Sequence, residues 1–284
     1  MTRMQLVVIG NGMAGMRTVE ELLQLAPDKY DITVIGREPH GNYNRIMLSP
    51  VLAGEKAFED IVIHPLSWYA ERGITLLAGH TVTGVDRVQR CVSTDQGVVV
   101  RYDRLLLATG SVPFMIPMPG HDHPDVISFR DIADVRRMLA PSATPPRVVV
   151  LGGGLLGLEA ANGLVKQGMA VTVVNDAAYL LNRQLDEEAS SLLRAALEAK
   201  GIAFKVSAVT SHISHNADTG KLNALHFKDG SELPCDLLVM AVGVRPNVAL
   251  ARSMGLQVDK AVLVNDTMQT FDPRVYAVGE CVQH

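Results

Sequence analysis

The sequence has few cysteines and no long apolar run. Its three cysteines, Cys91, Cys235 and Cys281, stand apart from one another and form no CxxC or CxxxxC pair. A redox-active dithiol and a disulfide framework are therefore not expected, and three isolated thiols are too few to hold an iron–sulphur cluster. The longest nearly apolar stretch, residues 148–158, has only about half the length of a membrane span. We therefore expect a soluble protein that has no membrane partner.

Long runs of basic residues are also absent. The longest is a pair such as Arg136-Arg137, and the net charge is −4, so nucleic acid is not an expected partner. The strand-like run 6–9 begins too early to leave room for a signal peptide, which predicts a cytoplasmic protein. With 48% hydrophobic and 20% charged residues over 284 positions, the chain is expected to fold into two globular domains.

Short apolar runs alternate with helical patterns, which is typical of a parallel sheet with crossover helices. One strand–helix–strand unit runs from strand 6–9 to strand 31–35, and a second runs from strand 148–151 to strand 170–174. The predicted fold class is therefore α/β, with two Rossmann-like domains.

Other segments fill in this plan. A helix is predicted at 186–200, a hairpin around Asp229-Gly230, and an interdomain crossing in the proline-rich passage 112–120. Further strands of the first half are predicted at 74–77, 81–85, 97–102 and 104–108. Three later strands are predicted to complete the first sheet, at 236–242, 262–264 and 275–278.

Each unit contains a glycine-rich loop between its first strand and its helix. Such glycines permit a tight turn and close approach of a pyrophosphate, and the helix start supplies amide donors and a positive dipole. A single loop of this kind also occurs as a turn without ligand, but two in the same context predict two dinucleotides. The loops read Gly10-Asn11-Gly12-Met13-Ala14-Gly15 and Gly152-Gly153-Gly154-Leu155-Leu156-Gly157.

A ribose-binding acid is expected about 20 residues past each loop. In the first unit Glu38 follows the second strand; its alternative role is that of a solvated loop carboxylate. In the second unit the corresponding residues are Asn175 and Asp176, and no arginine follows until Arg183. A carboxylate at this point disfavours the additional phosphate of NADPH, so Asp176 favours NADH. Asn175 favours neither nucleotide, and use of both NADH and NADPH stays open.

Two further segments carry a family resemblance, Ala108-Thr109-Gly110 and 270–280, the second of which ends in Gly279-Glu280. Together with the loops they resemble the flavoproteins with two dinucleotide-binding domains that are related to ferredoxin and rubredoxin reductases. The resemblance implies FAD in the first half, with Thr109 and Gly110 beside it. It also implies that Glu280 contacts the flavin ribityl chain, where most relatives carry aspartate.

The same resemblance assigns arginines to FAD. Arg45, in the segment 42–50, matches an arginine beside the cofactor, and its fork of donors suits a pyrophosphate. Arg130 matches a second one, and its alternative role is to start the helix that runs to Leu139. Pro50 stands where related reductases often have a lysine near the reactive flavin nitrogen. Val82 and Gly243 complete the predicted cofactor contacts.

More narrowly, the motifs resemble the N-terminal part of the large subunits of NAD(P)H-dependent nitrite reductases. This implies an FAD-binding domain at 1–112 and 243–284, with an NAD(P)-binding domain at 113–242 inserted in it. Electrons would pass from NAD(P)H to FAD and on to a downstream acceptor. That acceptor is an iron–sulphur and sirohaem domain, outside this sequence or in a partner, or a small redox protein.

Hydride transfer needs few catalytic side chains, because the cofactors carry the chemistry. Glu159, shortly after the second loop, matches a family glutamate near the nicotinamide and is the predicted catalytic residue; its alternative role is to favour the helix start electrostatically. No metal site is predicted. Two other functions remain open: a stand-alone NADH oxidase or rubredoxin or ferredoxin reductase, and a non-catalytic redox-sensing module.

Overall fold

A computed structural model describes residues 3–140 and 145–284. The chain divides into two compact units. The first unit comprises Met1–Asn44, Val62–Val112 and Arg245–His284, and the second comprises Arg45–Ile61 and Pro113–Val244. In the part of the chain that the structure describes, no helix has both the length and the apolar character needed to cross a membrane.

The first unit is built on a sheet of five parallel strands. Helix Met13–Leu25 connects the first strand to the second. Alternate residues of the first strand face opposite sides of the sheet: Val7 and Ile9 lie in one hydrophobic cluster and Leu6 and Val8 in another. Both faces are therefore covered, which explains the unbroken apolar run. The spatial order of the strands is Val275–Ala277, Arg104–Leu107, Met4–Ile9, Tyr30–Gly36, Thr75–Ala78.

The second unit repeats this plan with its own sheet of five parallel strands. Helix Leu155–Lys166 follows the strand Arg147–Leu151 and leads to Ala170–Val174. The predicted fold class, α/β with two Rossmann-like domains, is confirmed. The spatial order of the strands is Val126–Ser128, Leu237–Met240, Arg147–Leu151, Ala170–Val174, Ile202–Lys205.

Smaller elements complete each unit. The first unit adds helices Leu66–Glu71 and Ala249–Ser253, a 3-10 turn at Gly279–Cys281, and strands Asn42–Tyr43, Val62–His64, Val82–Asp86, Cys91–Thr94, Val99–Arg101, Val262–Leu263 and Val282–Gln283. The second unit adds 3-10 turns at Arg45–Met47 and Glu59–Ile61, helices Leu48–Leu52, Ile132–Met138 and Glu187–Glu198, and strands Thr210–His215, Leu222–Phe227 and Glu232–Pro234. Strands Ser111–Pro113 and Val244–Pro246 lie where the chain passes between units.

All three late strands were predicted to join the first sheet, and for two of them this prediction is wrong. Strand Leu237–Met240 pairs in parallel with Arg147–Leu151 and so belongs to the second sheet. Strand Val262–Leu263 pairs with Val282–Gln283 in a separate ribbon. Only Val275–Ala277 adds to the first sheet, beside Arg104–Leu107. Each of these runs is apolar, and hydrophobic pattern does not identify a strand's neighbour.

The observed units differ from the predicted domains at residues 243–244, which belong to the second unit, and in the longer segment 45–61, which packs with the second unit. Its helix Leu48–Leu52 lies against helix Leu155–Lys166 at Gly163, where a Cβ would come within 3.0 Å of Leu52 Cγ. Gln167 also donates to the Leu52 carbonyl at 3.0 Å. A glycine on a helix face thus creates the contact, which sequence spacing did not indicate.

Candidate dinucleotide-binding sites

The first glycine loop turns sharply out of strand Met4–Ile9. Gly10 has φ +111°, and a Cβ there would lie 2.1 Å from the Ala108 carbonyl oxygen. A Cβ on Gly15 would lie 2.8 Å from that of Ala108. Gly12 is the N-cap of the helix, and no described side chain caps it. Apart from the adjoining backbone, no described atom lies within 4 Å of where its Cβ would be. The backbone is therefore crowded on the protein side and open on the other.

The second loop has the same geometry. Gly152 has φ +121°, and a Cβ there would lie 2.4 Å from the Ala241 carbonyl oxygen. A Cβ on Gly157 would lie 2.0 Å from the Gly152 oxygen. Gly154 is the N-cap without a described side-chain cap. Apart from the adjoining backbone, no described atom lies within 4 Å of its Cβ position.

Both loops fit the pyrophosphate of a dinucleotide. The helices they open, 13 and 12 residues long, carry no acidic residue in the first turn, so no carboxylate in either first turn repels an anion. The uncapped amides and the helix dipole attract one, and a side chain on either N-cap glycine would fill the open space beside them. The predicted contacts in the first turns are the half-buried Met13 and the exposed Ala14, Leu155 and Leu156.

Glu38 lies where the sequence places it, just past strand Tyr30–Gly36, and is half-buried. The buried Tyr43 donates its hydroxyl hydrogen to Glu38 Oε2 at 2.6 Å. One carboxylate oxygen is thus oriented by the protein. Tyr43 was not predicted to have a role, although it lies within the motif that led to Arg45.

The late motif of the first unit lies against the first loop. A Cβ on Gly279 would come within 2.9 Å of the Ala14 Cβ. The neighbouring Glu280 is exposed and accepts a hydrogen bond from Ser111 Oγ at 2.9 Å. Residues far apart in sequence are therefore brought together here.

Thr109 and Gly110 are fixed by Asn247. The Thr109 hydroxyl donates to the Asn247 carbonyl at 2.8 Å, and the Asn247 amide donates to the Gly110 carbonyl at 2.9 Å. Val82, by contrast, is partly buried against a hydrophobic cluster that includes Val7.

The two predicted arginines meet in the second unit. Arg45 Nη1 donates to the Arg130 carbonyl at 3.2 Å, and the Arg130 amide donates to Asp134 Oδ2 at 2.7 Å. Burial raises the pKa of Asp134. Gly243, with φ +107°, accepts a hydrogen bond from the Phe114 amide at 2.9 Å.

Glu159 is exposed on the second helix, and its Oε2 accepts a hydrogen bond from Ser49 Oγ at 2.6 Å. Ser49 stands next to Pro50, the position at which related reductases often have lysine. A neutral hydroxyl thus orients the carboxylate. Nothing in the sequence indicated this pair, because the two residues are 110 positions apart.

Asn175 is only 8% exposed, and its amide group is used within the protein. Its Oδ1 accepts from the Gly153 amide at 3.1 Å, and its Nδ2 donates to the carbonyls of Ala177 and Tyr179 at 3.3 and 3.0 Å. The adjacent Asp176 is exposed. Of the two predicted contacts, Asp176 is therefore the one whose side chain is open to a ligand.

The described residues contain no group of three or more His, Cys, Asp or Glu side chains that could hold a metal ion. His121 and His123 each approach a backbone carbonyl at 2.8 Å, that of Met118 and that of Gly220. The cysteines are free thiols, and burial raises the pKa of Cys235 to about 12.

Known proteins resemble the chain along its whole length. The sequence profile of the pyridine nucleotide-disulphide oxidoreductases matches residues 4–284. The NAD(P)H nitrite reductase of Bacillus subtilis (strain 168) is 48% identical over 284 residues, which cover 100% of this chain and 35% of that protein. The rubredoxin–NAD(+) reductase of Pseudomonas putida is 33% identical, with 98% and 72% coverage. Among solved structures, a covalent putidaredoxin reductase–putidaredoxin complex matches with a TM-score of 0.89 at 31% identity, with 99% and 68% coverage.

Proposed function

Because the chain belongs to the pyridine nucleotide-disulphide oxidoreductase family, we propose that it transfers hydride from NAD(P)H to FAD and passes the electrons to a separate acceptor. The resemblance inferred from the motifs is thereby confirmed, and the family implies FAD and NAD(P)H as cofactors. One observation carries the proposal: each unit has an uncapped helix that starts at an open glycine, with equal loop geometry.

The first unit is the proposed FAD site. The amides that follow Gly12 bind the pyrophosphate, and Glu38 accepts hydrogen bonds from the adenosine ribose. Glu280, exposed beside Gly279 and the first loop, accepts one from the ribityl chain. Ser111 Oγ donates a hydrogen bond to Glu280 Oε2, which keeps the Glu280 carboxylate in one orientation. Arg45 and Arg130 stay predicted FAD contacts on the resemblance alone, because both belong to the second unit.

The second unit is the proposed NAD(P)H site. The amides after Gly154 bind the nicotinamide dinucleotide's pyrophosphate, with Leu155 and Leu156 exposed beside them. The exposed Asp176 accepts hydrogen bonds from the ribose hydroxyls and repels a 2′-phosphate. This favours NADH over NADPH.

Glu159 is the proposed catalytic residue. Its carboxylate, fixed by Ser49, accepts a hydrogen bond from the nicotinamide carboxamide and so orients the ring for transfer. Bound FAD supplies the chemistry that takes up a hydride and releases electrons singly. The uncharged Pro50 leaves the electrostatics of this region to the Glu159 carboxylate and its neighbours.

The proposed acceptor is an iron–sulphur and sirohaem centre of a nitrite reductase, because the B. subtilis nitrite reductase is 48% identical and the chain spans only 35% of its length. A second candidate is transfer to a small redox protein. It is favoured by the rubredoxin reductase relative, of which the chain covers 72%.

The test is an anaerobic titration. The chain is reconstituted with FAD and titrated with NADH and then NADPH while the visible flavin band is followed. Bleaching by either nucleotide is expected, with NADH effective at lower concentration. A flavin that binds but stays oxidised would indicate a non-catalytic module. The acceptor is then assigned by adding rubredoxin, or the remaining segments of a nitrite reductase, to the reduced protein.

A further inference from the structure

A buried polar network lies beside the first glycine loop, in residues to which the proposed function gives no role. It centres on the two-residue strand Asn42–Tyr43, which pairs with Val62–His64. Asn42 is 1% exposed and Tyr43 4%. Buried polar groups are retained only when their hydrogen bonds are satisfied, and here the partners are the two segments proposed to grip the adenosine half of FAD.

Asn42 and Tyr69 together hold Asn11, the residue between Gly10 and Gly12. Asn42 Nδ2 donates to the Asn11 carbonyl at 2.8 Å, and the Tyr69 hydroxyl donates to Asn11 Oδ1 at 2.7 Å. The Tyr69 oxygen in turn accepts from the Asn42 amide at 3.2 Å. Burial raises the Tyr69 pKa to about 12, so the hydroxyl keeps its proton and remains a donor at neutral pH.

The other side of Asn42 is fixed by His64. His64 Nδ1 lies 3.3 Å from Asn42 Oδ1, and Nε2 lies 2.7 Å from Glu20 Oε1 on the helix that the loop opens. The network thus returns to the element from which it starts. Gly41 permits the close approach, since a Cβ there would lie 2.0 Å from the His64 carbonyl oxygen.

Tyr43, the next residue, acts on the ribose side. Its hydroxyl donates to Glu38 Oε2 at 2.6 Å. Successive side chains of a strand point in opposite directions, so one short strand reaches two separate segments. Asn42 bonds to the phosphate loop, and Tyr43 bonds to the ribose acid.

We propose that strand Asn42–Tyr43 is a clamp that fixes the phosphate loop and Glu38 at the separation that the adenosine diphosphate half of FAD requires, with Tyr69 and His64 as further positioning residues. This inference rests on the assignment of FAD to the first unit. The strand itself contacts no reacting atom; its effect is to hold two binding segments before the ligand arrives, which lowers the ordering cost of binding.

Two variants each remove a single hydroxyl: Tyr69→Phe at the phosphate loop and Tyr43→Phe at Glu38. Tyr30→Phe, in the same unit but outside the network, is the matched control. The dissociation constant of FAD is measured by quenching of its fluorescence. We expect Tyr69→Phe and Tyr43→Phe to weaken FAD binding about tenfold each, which corresponds to roughly 1.4 kcal/mol, and Tyr30→Phe to leave it within about twofold.

A second ligand separates the two halves of the clamp. With an FAD whose adenosine ribose lacks its 2′-hydroxyl, the Tyr43→Phe defect should largely disappear, whereas the Tyr69→Phe defect should persist. Equal defects of Tyr43→Phe with both ligands would overturn the ribose half of the proposal.

Hydrogen exchange of the ligand-free protein makes the test independent of FAD. Tyr69→Phe should raise exchange at the amides of residues 11–15, and Tyr30→Phe should not. Unchanged exchange in Tyr69→Phe overturns the clamp, whether or not FAD binds. Failure of the unsubstituted protein to bind FAD, with loop exchange still responding to Tyr69→Phe, would instead overturn the assignment of FAD to this unit and leave the clamp standing as a loop-positioning device.

Discussion

The two glycine loops share their backbone geometry and differ in how they are fixed to the protein. Their N-cap glycines, Gly12 and Gly154, have φ/ψ of −85°/175° and −84°/177°. The residue before each is Asn11 in the first loop and Gly153 in the second. In the first, the loop's own side chain reaches out, to Tyr69 and to the His40 carbonyl.

In the second loop the side chain that fixes the loop comes from outside it. Asn175, at the end of strand Ala170–Val174, reaches in to the Gly153 amide. A Cβ on Gly153 would lie 2.9 Å from Asn175 Cγ, so the loop has no room for a side chain. Both loops thus have the same shape, but the stabilising asparagine lies within the first loop, as Asn11, and outside the second loop, as Asn175. The motif determines the turn, and residues outside it determine the anchor.

The largest effects are expected where the loops are alike. Both glycines have positive φ; Gly10→Ala would place a Cβ 2.1 Å from a backbone oxygen, and Gly152→Ala would place one at 2.4 Å. Each should lower the free energy of unfolding by about 3–5 kcal/mol and abolish binding of its own dinucleotide. Thermal unfolding with FAD or NADH present measures both. Gly12→Ala is the contrast: it should leave stability nearly unchanged while weakening FAD binding. Wild-type stability of Gly10→Ala would show that the crowding is absent.

The next effect tests the opposite anchors. Asn175→Ala removes three hydrogen bonds from a buried site and should cost about 2–3 kcal/mol of stability, with NADH binding weakened more than FAD binding. Asn11→Ala should instead weaken FAD binding more than NADH binding. Chemical denaturation and the two titrations give the values, with the exposed Asn223→Ala as control. If both variants weakened FAD and NADH equally, the anchors would not be specific to their loops.

A smaller effect concerns the acids beside the two loops. Glu38 is held by Tyr43, whereas Asp176 is exposed. Asp176→Asn keeps the shape and removes the charge, so NADPH should gain on NADH by about tenfold in the ratio of their kcat/KM values. Steady-state reduction of an artificial acceptor measures this ratio. Asp218→Asn, in an exposed turn of the same unit, should leave it unchanged; a similar shift in both variants would indicate net charge as the cause.

The smallest effect is expected at a position where the two loop helices, Met13–Leu25 and Leu155–Lys166, carry side chains of opposite charge. Two residues past the last loop glycine, the first helix has Arg17, which pairs with Glu20 and Glu21, and the second has Glu159, held by Ser49. Ser49→Ala should slow anaerobic flavin reduction by NADH about two- to fivefold. Stopped-flow absorbance measures the rate. Ser49→Thr should restore it, and a rate unaffected in Ser49→Ala but lost in Glu159→Gln would mean that Glu159 acts without this donor.

The sequence predicts the parts of this molecule that depend on local pattern. Both loops, their flanking strands and the helix capped by Asp186 follow from glycine spacing and apolar period; helix 186–200 is observed at Glu187–Glu198. The hairpin at Gly230 follows from its turn residues, with φ +82° at that glycine.

The anchors of the loops could not be predicted in this way. Asn11 and Tyr69 are 58 positions apart, and Ser49 and Glu159 are 110 apart. Each pair depends on the assembled sheet and on glycines that let backbones approach. The role of Asn175 could not be predicted either. Its position in the sequence does not indicate that its side-chain amide is hydrogen-bonded to Gly153 and to the loop that follows Asn175.

The helix Leu48–Leu52 belongs to a unit whose second and longer stretch begins only at Pro113, more than sixty positions after the helix. Neither unit is a single continuous stretch, so neither can be excised or exchanged as one uninterrupted cassette. A gene segment spanning 113–244 would encode the second glycine loop but omit the residues that pack on Gly163 and the hydroxyl that binds Glu159. Recombination within this fold therefore has to carry a short upstream insert along with the nucleotide unit, or rebuild that face of the helix.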